Sequence, residues 1–264
     1  MILQATQLDV QIGGKQVCRQ LDWQIQRGEI WALLGENGAG KSTLMATLAG
    51  ARAPQRGELR LQDQLLTAYA PRQRAQRLGW LAQRDDDPFP ATVLETVLAG
   101  RHPHLDRLTW EGEEDAAIAR TALAQVDLSG FEARDITTLS GGERRRVSLA
   151  TLLAQQTPLL LLDEPLSQLD LRHQLLVLRL LRELAQTERS IVFITHDPNH
   201  ALQVATHALL LFGEGKTVSG PVQEVVTVGN MAELYRCPVR EVDAGGQRLI
   251  VVMANDSLPL AGGG

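Results

Sequence analysis

Hydrophobic positions change their period several times along this 264-residue chain, and each change marks an element. Leu8-Asp-Val-Gln-Ile12 and Leu21-Asp-Trp-Gln-Ile25 alternate apolar with polar residues, the period of half-buried strands, and Gly13-Gly14 supplies a turn between them. Glu29-Ile-Trp-Ala-Leu-Leu34 is a short continuous apolar run, as expected of a strand covered on both faces. Pro158-Leu-Leu-Leu-Leu162 and Ser190-Ile-Val-Phe-Ile194 have the same character. From Lys41 the spacing of Leu44, Met45 and Leu48 becomes that of one helix face. The Asp85-Asp-Asp-Pro-Phe-Pro90 break opens a mainly helical stretch reaching about Ala154, with helices expected over Thr92–Ala99 and Glu111–Val126. Val147, Ala150 and Ala154 mark a further helix face. Beyond it come a leucine-rich helix over Leu171–Leu184 with Asp170 as its N-cap, and a helix starting at Pro198 after the N-cap Asp197. A hairpin is expected around Gly213-Glu-Gly215, and the terminal Gly262-Gly-Gly264 should fray. No internal repeat is visible.

Composition narrows the picture. Hydrophobic residues make up 44% and aromatics only 4%, which suits an aliphatic α/β core. A formal net charge of −5 leaves no basic footprint for nucleic acid, so none is expected as a partner. Cys18 and Cys237 form no motif and read as two reduced thiols, and the histidines show no metal-ligand spacing. Arg101-His-Pro-His104 reads as a surface loop. The N-terminus has neither a basic region nor a long apolar core, and nothing approaches the ~20 apolar residues of a membrane span. The chain is therefore expected to be soluble by itself, any membrane work requiring a partner.

Two segments carry phosphate chemistry. Gly35-Glu36-Asn37-Gly38-Ala39-Gly40-Lys41-Ser42, followed by Thr43, stands between an expected buried strand and an expected helix, the context a phosphate loop needs. Backbone N–H groups of Gly38, Gly40 and their neighbours can close around phosphates at the positive end of the helix. Lys41 supplies a charge to the β- and γ-phosphates, and the Ser42 hydroxyl is placed for Mg²⁺. The apolar run ending at Leu162 delivers Asp163 and Glu164 to the C-terminal edge of a parallel sheet, where ligands of open α/β sheets lie. Asp163 would hold Mg²⁺, and Glu164 would orient or deprotonate water, a role typically worth ~10²–10⁴ in rate. Ser140-Gly141-Gly142-Glu143 is a capping box by spacing and, with its exposed glycine N–H groups, also an anion site; both readings hold together. Arg144-Arg-Arg146 reads as a solvated or phosphate-proximal face without an assigned role.

The phosphate loop together with Leu139-Ser-Gly-Gly-Glu143 resembles the ATP-binding cassette (ABC) proteins, and the resemblance spans about Leu3 to Val252. It implies a P-loop NTPase (RecA-like) α/β core with an antiparallel β subdomain and an inserted α-helical subdomain. The segments expected are 1–84 and 155–264 for the core and 85–154 for the helical insert. It also implies a homodimer, in which Ser140, Gly141 and Gly142 of one copy meet ATP held by the other. By their place in the order, Gln83 matches the flexible glutamine that senses γ-phosphate and Mg²⁺, His196 the switch histidine, and Ser167-Gln-Leu-Asp170 the segment where two cassettes touch. Ile12 stands where the family commonly stacks an aromatic on adenine. Stacking is worth roughly 1–3 kcal/mol, so modest nucleotide affinity and weak base selectivity are expected. Arg77-Leu-Gly-Trp-Leu-Ala-Gln83, Thr92–His104 and Leu234-Tyr-Arg-Cys-Pro-Val-Arg240 are similar to the ATPases of type II importers for iron–siderophores, haem or cobalamin. That likeness implies a peripheral protein on the cytoplasmic face of the bacterial inner membrane, beneath a permease dimer served by a periplasmic or surface binding protein. Leu94, Val97, Leu98 and Arg101–His104 are expected to line the permease groove. The competing readings are a soluble cassette ATPase in iron–sulfur cluster assembly and the ATPase of an exporter.

Overall fold

A computed structural model describes residues 1–83, 90–106 and 110–253. The expected hairpin forms as long strands, β1 (Leu3–Ile12) and β2 (Lys15–Ile25), paired antiparallel across Gly13-Gly14. The next run is β3 (Ile30–Gly35), which ends in the glycine loop and leads into α1 (Lys41–Leu48). Then come β4 (Arg56–Leu61), β5 (Gln64–Leu65), α2 (Pro71–Ala75) and β6 (Leu78–Leu81).

The helical stretch contains α3 (Val93–Leu98), α4 (Glu113–Gln125) and α5 (Gly141–Ala154). Thr92 caps α3, its hydroxyl accepting from the Glu95 N–H while the Glu95 carboxylate accepts from the Thr92 N–H at 2.7 Å. Most of the Asp85–Pro90 break lies outside the described residues, as does Gly262–Gly264.

The remainder is β7 (Leu159–Leu162), α6 (Leu171–Gln186), β8 (Ser190–Ile194), α7 (Pro198–Val204), β9 (His207–Gly213), β10 (Lys216–Pro221), α8 (Val222–Val225), α9 (Val228–Tyr235), β11 (Val239–Asp243) and β12 (Arg248–Val252). Asp170 and Asp197 cap α6 and α7 as expected, accepting from the backbone N–H groups of His173 and Asn199.

The strands form a six-stranded sheet in the order β10-β9-β3-β8-β7-β6, parallel except for β10, and a four-stranded antiparallel sheet β2-β1-β4-β5. The continuous apolar runs are explained by what covers them. Ile30, Ala32 and Leu34 of β3 point into a core shared with the helices, whereas Trp31 and Leu33 point into a second core beneath the antiparallel sheet. Leu160 and Leu162 against Leu159 and Leu161, and Ile191 and Phe193 against Val192 and Ile194, divide the same way. A sheet buried on both faces holds its strand ends rigidly, and those ends carry the site.

Three expectations fail. Arg101–His104 is not a surface loop but a 3-10 turn with Arg101 only 7% exposed, although His102 and His104 do face outward. The Arg101 guanidinium donates to Asp115 Oδ1 at 2.8 Å, Ala154 O at 2.8 Å and Gln156 Oε1 at 2.9 Å, knotting this turn to the start of α4 and the end of α5. Val97 is fully buried in the helical core, so it lines no groove, while Leu94 and Leu98 are partly exposed. Nor is Arg144–Arg146 a solvated face. Arg145 and Arg146 are buried, and Arg146 Nη1 donates to the carbonyls of Val126 and Asp127. Backbone oxygens that end α4 satisfy this charge, and a row of charged letters does not reveal such partners.

Candidate functional site: a nucleotide cleft at the strand ends

Four parallel strands, β3, β8, β7 and β6, stand side by side and deliver their following residues to one edge. β3 supplies the glycine loop, β7 supplies Asp163 and Glu164, β8 between them supplies Thr195 and His196, and β6 leads through Ala82 to Gln83.

The loop is built by close approach. Gly40 has φ of 95°, and a Cβ there would sit 2.4 Å from Val17 Cγ2 on β2, so only glycine fits. The Ala39 N–H returns to the Glu36 carbonyl at 3.2 Å, closing the curl, while Asn37, Gly38 and Ser42 stay exposed at its mouth and Thr43 is partly buried behind it. Lys41 is buried and spans the loop, Nζ donating to Gly35 O at 2.8 Å and Glu36 O at 2.9 Å. Burial lowers its pKa, opposed by the charges of Glu164 and Asp163. The ammonium thus sits between loop and carboxylates, where a triphosphate would replace its backbone partners.

Asp163 is 1% exposed, and desolvation raises its pKa against a hydrogen bond from Ser42, with the Glu164 charge adding to the rise. Its Oδ1 is buried without a hydrogen-bond partner among the described residues. An orphaned carboxylate oxygen beside a serine hydroxyl is a donor set of hard oxygens suited to Mg²⁺. Glu164 has φ of 50°, the left-handed region that non-glycine residues seldom occupy. That bend turns its carboxylate to the His196 ring, Oε1 lying 2.6 Å from Nε2. Exposed Gln83 follows β6, whose last residue Leu81 is in register with Leu162.

Ser140, Gly141 and Gly142 begin α5 with the expected capping box, Ser140 N–H donating to Glu143 Oε2 at 2.8 Å. Hydrogen bonds from Ser140 depress the Glu143 pKa. Both glycines abut Gln168 in the segment after Glu164: a Cβ on Gly141 would lie 2.6 Å from its Oε1, and one on Gly142 2.9 Å from its carbonyl oxygen.

Sequence reasoning had not singled out several residues here. A cavity of about 490 Å³ beside Glu36–Ala39 is walled by Ile12, Val17, Phe212 and Arg236, and Arg236 pairs with Glu36 at 3.3 Å. The C-terminal β11–β12 hairpin is latched to α7 by the Asn199 amide, which accepts from Ile250 N–H at 2.8 Å and donates to Ile250 O at 3.1 Å. Tyr235 Oη donates to the His196 carbonyl at 3.1 Å. Strand-like alternation over Val239–Asp243 is too short to have announced that hairpin.

A glycine loop, a buried aspartate and a following glutamate at the ends of parallel strands of one sheet define a P-loop nucleotide-hydrolysing cassette. The sequence profile of the ABC transporter family matches residues 18–167. The chain is 41% identical over 236 residues to the hemin import ATP-binding protein HmuV of Streptomyces coelicolor, covering 88% of this chain and 82% of that one. It is 36% identical over 254 residues to the ferric enterobactin transport ATP-binding protein FepC of Escherichia coli, covering 94% and 93%. A solved inward-facing ABC transporter described as of metal-chelate type superposes with a TM-score of 0.84 at 31% identity, over 96% of this chain and 98% of that one. The chain belongs to the ABC transporter family, whose cassettes hydrolyse ATP.

Proposed function

We propose that this chain is the ATP-hydrolysing subunit of a type II importer that takes up an iron chelate, with haem and ferric siderophores favoured by the names of its relatives. Cobalamin rests on the resemblance of the sequence alone. The observation that carries the reading is the convergence of Lys41, Asp163, Glu164 and His196 on one edge, with the Glu164 carboxylate already aimed by His196.

In this reading Gly35 through Thr43 wrap the ATP phosphates, and Lys41 exchanges its loop carbonyls for phosphate oxygens. Ser42, Asp163 and Gln83 would hold Mg²⁺, which when bound neutralises charge on the β- and γ-phosphates. Glu164 accepts a proton from the water that attacks the γ-phosphorus as the bond to the β-phosphate oxygen breaks and ADP leaves. The charge that builds on the γ-phosphoryl group is met by Lys41, by His196 and by Ser140, Gly141 and Gly142 of a second copy. Two copies therefore close head-to-tail on two ATP molecules. Residues 85–154 form the helical insert that carries the signature end of each copy, between the core segments 1–84 and 155–264.

Closure would drive a permease dimer, a reading supported by the import and transport proteins this chain resembles; no helix among the described residues is long and apolar enough to cross a membrane. Leu94, Leu98 and the outward-facing His102 and His104 are the permease contacts, on the cytoplasmic face of the bacterial inner membrane. A periplasmic or surface protein would present the substrate. Purifying Glu164→Gln with ATP from gently solubilised membranes of the native host, followed by mass spectrometry, tests this. A co-purifying polytopic permease supports import; recovery only from the soluble fraction with cluster-assembly scaffolds overturns it.

A further inference from the structure

Arg145 is 3% exposed and lies one helical turn beyond the start of α5, yet among the described residues its guanidinium reaches out of that helix to the end of β6 and to the residues after β7. Nη1 donates to Ala82 O at 2.9 Å, next to Gln83, while Nη2 donates to Glu164 O at 3.0 Å and to the Asp163 carbonyl. The Glu164 carbonyl also accepts from Ser167 N–H at 3.1 Å and Ser167 Oγ at 2.9 Å. Those serine donors come from the same turn, whereas Arg145 comes from the helix that begins at Gly141 and Gly142. Burying a guanidinium is expensive, and packing alone would be served by an aliphatic residue. What the planar fork adds is several directed donors in fixed relation, which a lysine cannot reproduce.

We propose that Arg145 is a positioning residue of the hydrolytic centre, fixing the left-handed Glu164 backbone relative to the signature helix α5. Seating of Gly141 and Gly142 on the other copy's ATP then sets the aim of Glu164 in the same copy. The two ATP sites of the dimer are coupled through this side chain. The inference rests on the assignment of Glu164 as the group that activates water. Among the described residues Arg145 makes no hydrogen bond to the glycine loop, so its loss should impair turnover and spare nucleotide binding.

The test is a double-mutant cycle on the purified full-length chain, using Arg145→Met, Glu164→Gln and the double variant. ATP affinity is measured by equilibrium binding, and hydrolysis by single-turnover release of labelled phosphate. Arg145→Met should lower kcat by about 10²-fold, the scale of a small misplacement of a reacting group, with ATP Kd within about twofold of wild type. If Arg145 acts through Glu164, the double variant should hydrolyse no more slowly than Glu164→Gln, because the aim of a missing base no longer matters. A double variant slowed by the product of the single effects would overturn the proposal, since a general structural defect multiplies. So would Arg145→Met turning over at the wild-type rate while Glu164→Gln does not. Wild-type turnover by Glu164→Gln would instead overturn the Glu164 assignment itself. Should Arg145→Met fail to fold, Arg145→Gln, which keeps an amide donor, enters the same cycle with a smaller expected loss and the same non-additivity.

Discussion

Asp163 shows what the cleft costs the fold. Its carboxylate is buried, and desolvation lifts its pKa above the ordinary aspartate range. A folded-state pKa above the unfolded value means the native state holds the proton more tightly. Stability therefore falls as pH rises from the ordinary aspartate range through the raised value, and the loss persists at neutral pH. Asp163→Asn should melt higher than wild type at pH 7 without nucleotide or metal, at roughly 2–4 °C per kcal/mol relieved, while losing Mg²⁺-dependent hydrolysis. The gap should close as pH falls towards 4, which melting curves across pH would check. At the other end of the cleft, Ile12 is 43% exposed on the wall of the cavity beside Glu36. An aliphatic side chain there offers no ring to stack on, so GTP should displace ATP with an affinity within about tenfold. Failure of GTP to compete even in large excess would show that the base is read on this wall, with Phe212 and Arg236 the first residues to replace.

The helices are tied together by arginines as well as by their apolar faces. Arg101 and Asp115 have side chains only 9% and 15% exposed, and hydrogen bonds from Arg101 and the Gly112 N–H hold the Asp115 carboxyl below its usual range. Arg101→Ala would leave Asp115 without its cation and Ala154 without a donor, a change that typically costs about 3 kcal/mol. A fall in Tm of roughly 6–12 °C is expected for a chain of this size; an unchanged Tm would mean that the knot contributes nothing. The strands β1, β2, β3, β7 and β8, the caps of α5, α6 and α7, and the phosphate loop were legible in the sequence, because each is encoded within a few adjacent residues, whereas β4, β5, β6, β11 and β12 were not. Ser140 with Glu143, Asp170, Asp197 and the doubly covered run before Asp163 needed no distant information. Arg101, Arg145 and Arg146 were not legible, because many of their partners are backbone oxygens far along the chain, such as Ala154, Ala82 and Val126. Carbonyl partners leave no trace in residue identity, so buried arginines look like a solvated face.

At the scale of the molecule, one sheet divides two apolar cores and presents its strand ends as a rigid rim. Lys41, Asp163, Glu164 and His196 gather on that rim, whereas Ser140–Gly142 cap a helix that packs against Gln168 of the segment after Glu164. On the proposed function, this arrangement is half of a hydrolytic site repeated on two surfaces, which a second copy would complete. Removing the activating carboxylate should trap the completed state. The decisive measurement is the mass of Glu164→Gln in solution, by light scattering after size exclusion, with Mg²⁺ and either ATP or ADP. The account predicts twice the monomer mass with ATP, the monomer mass with ADP, and hydrolysis lost. A monomer at saturating ATP, still turning over within a few-fold of wild type, would contradict it.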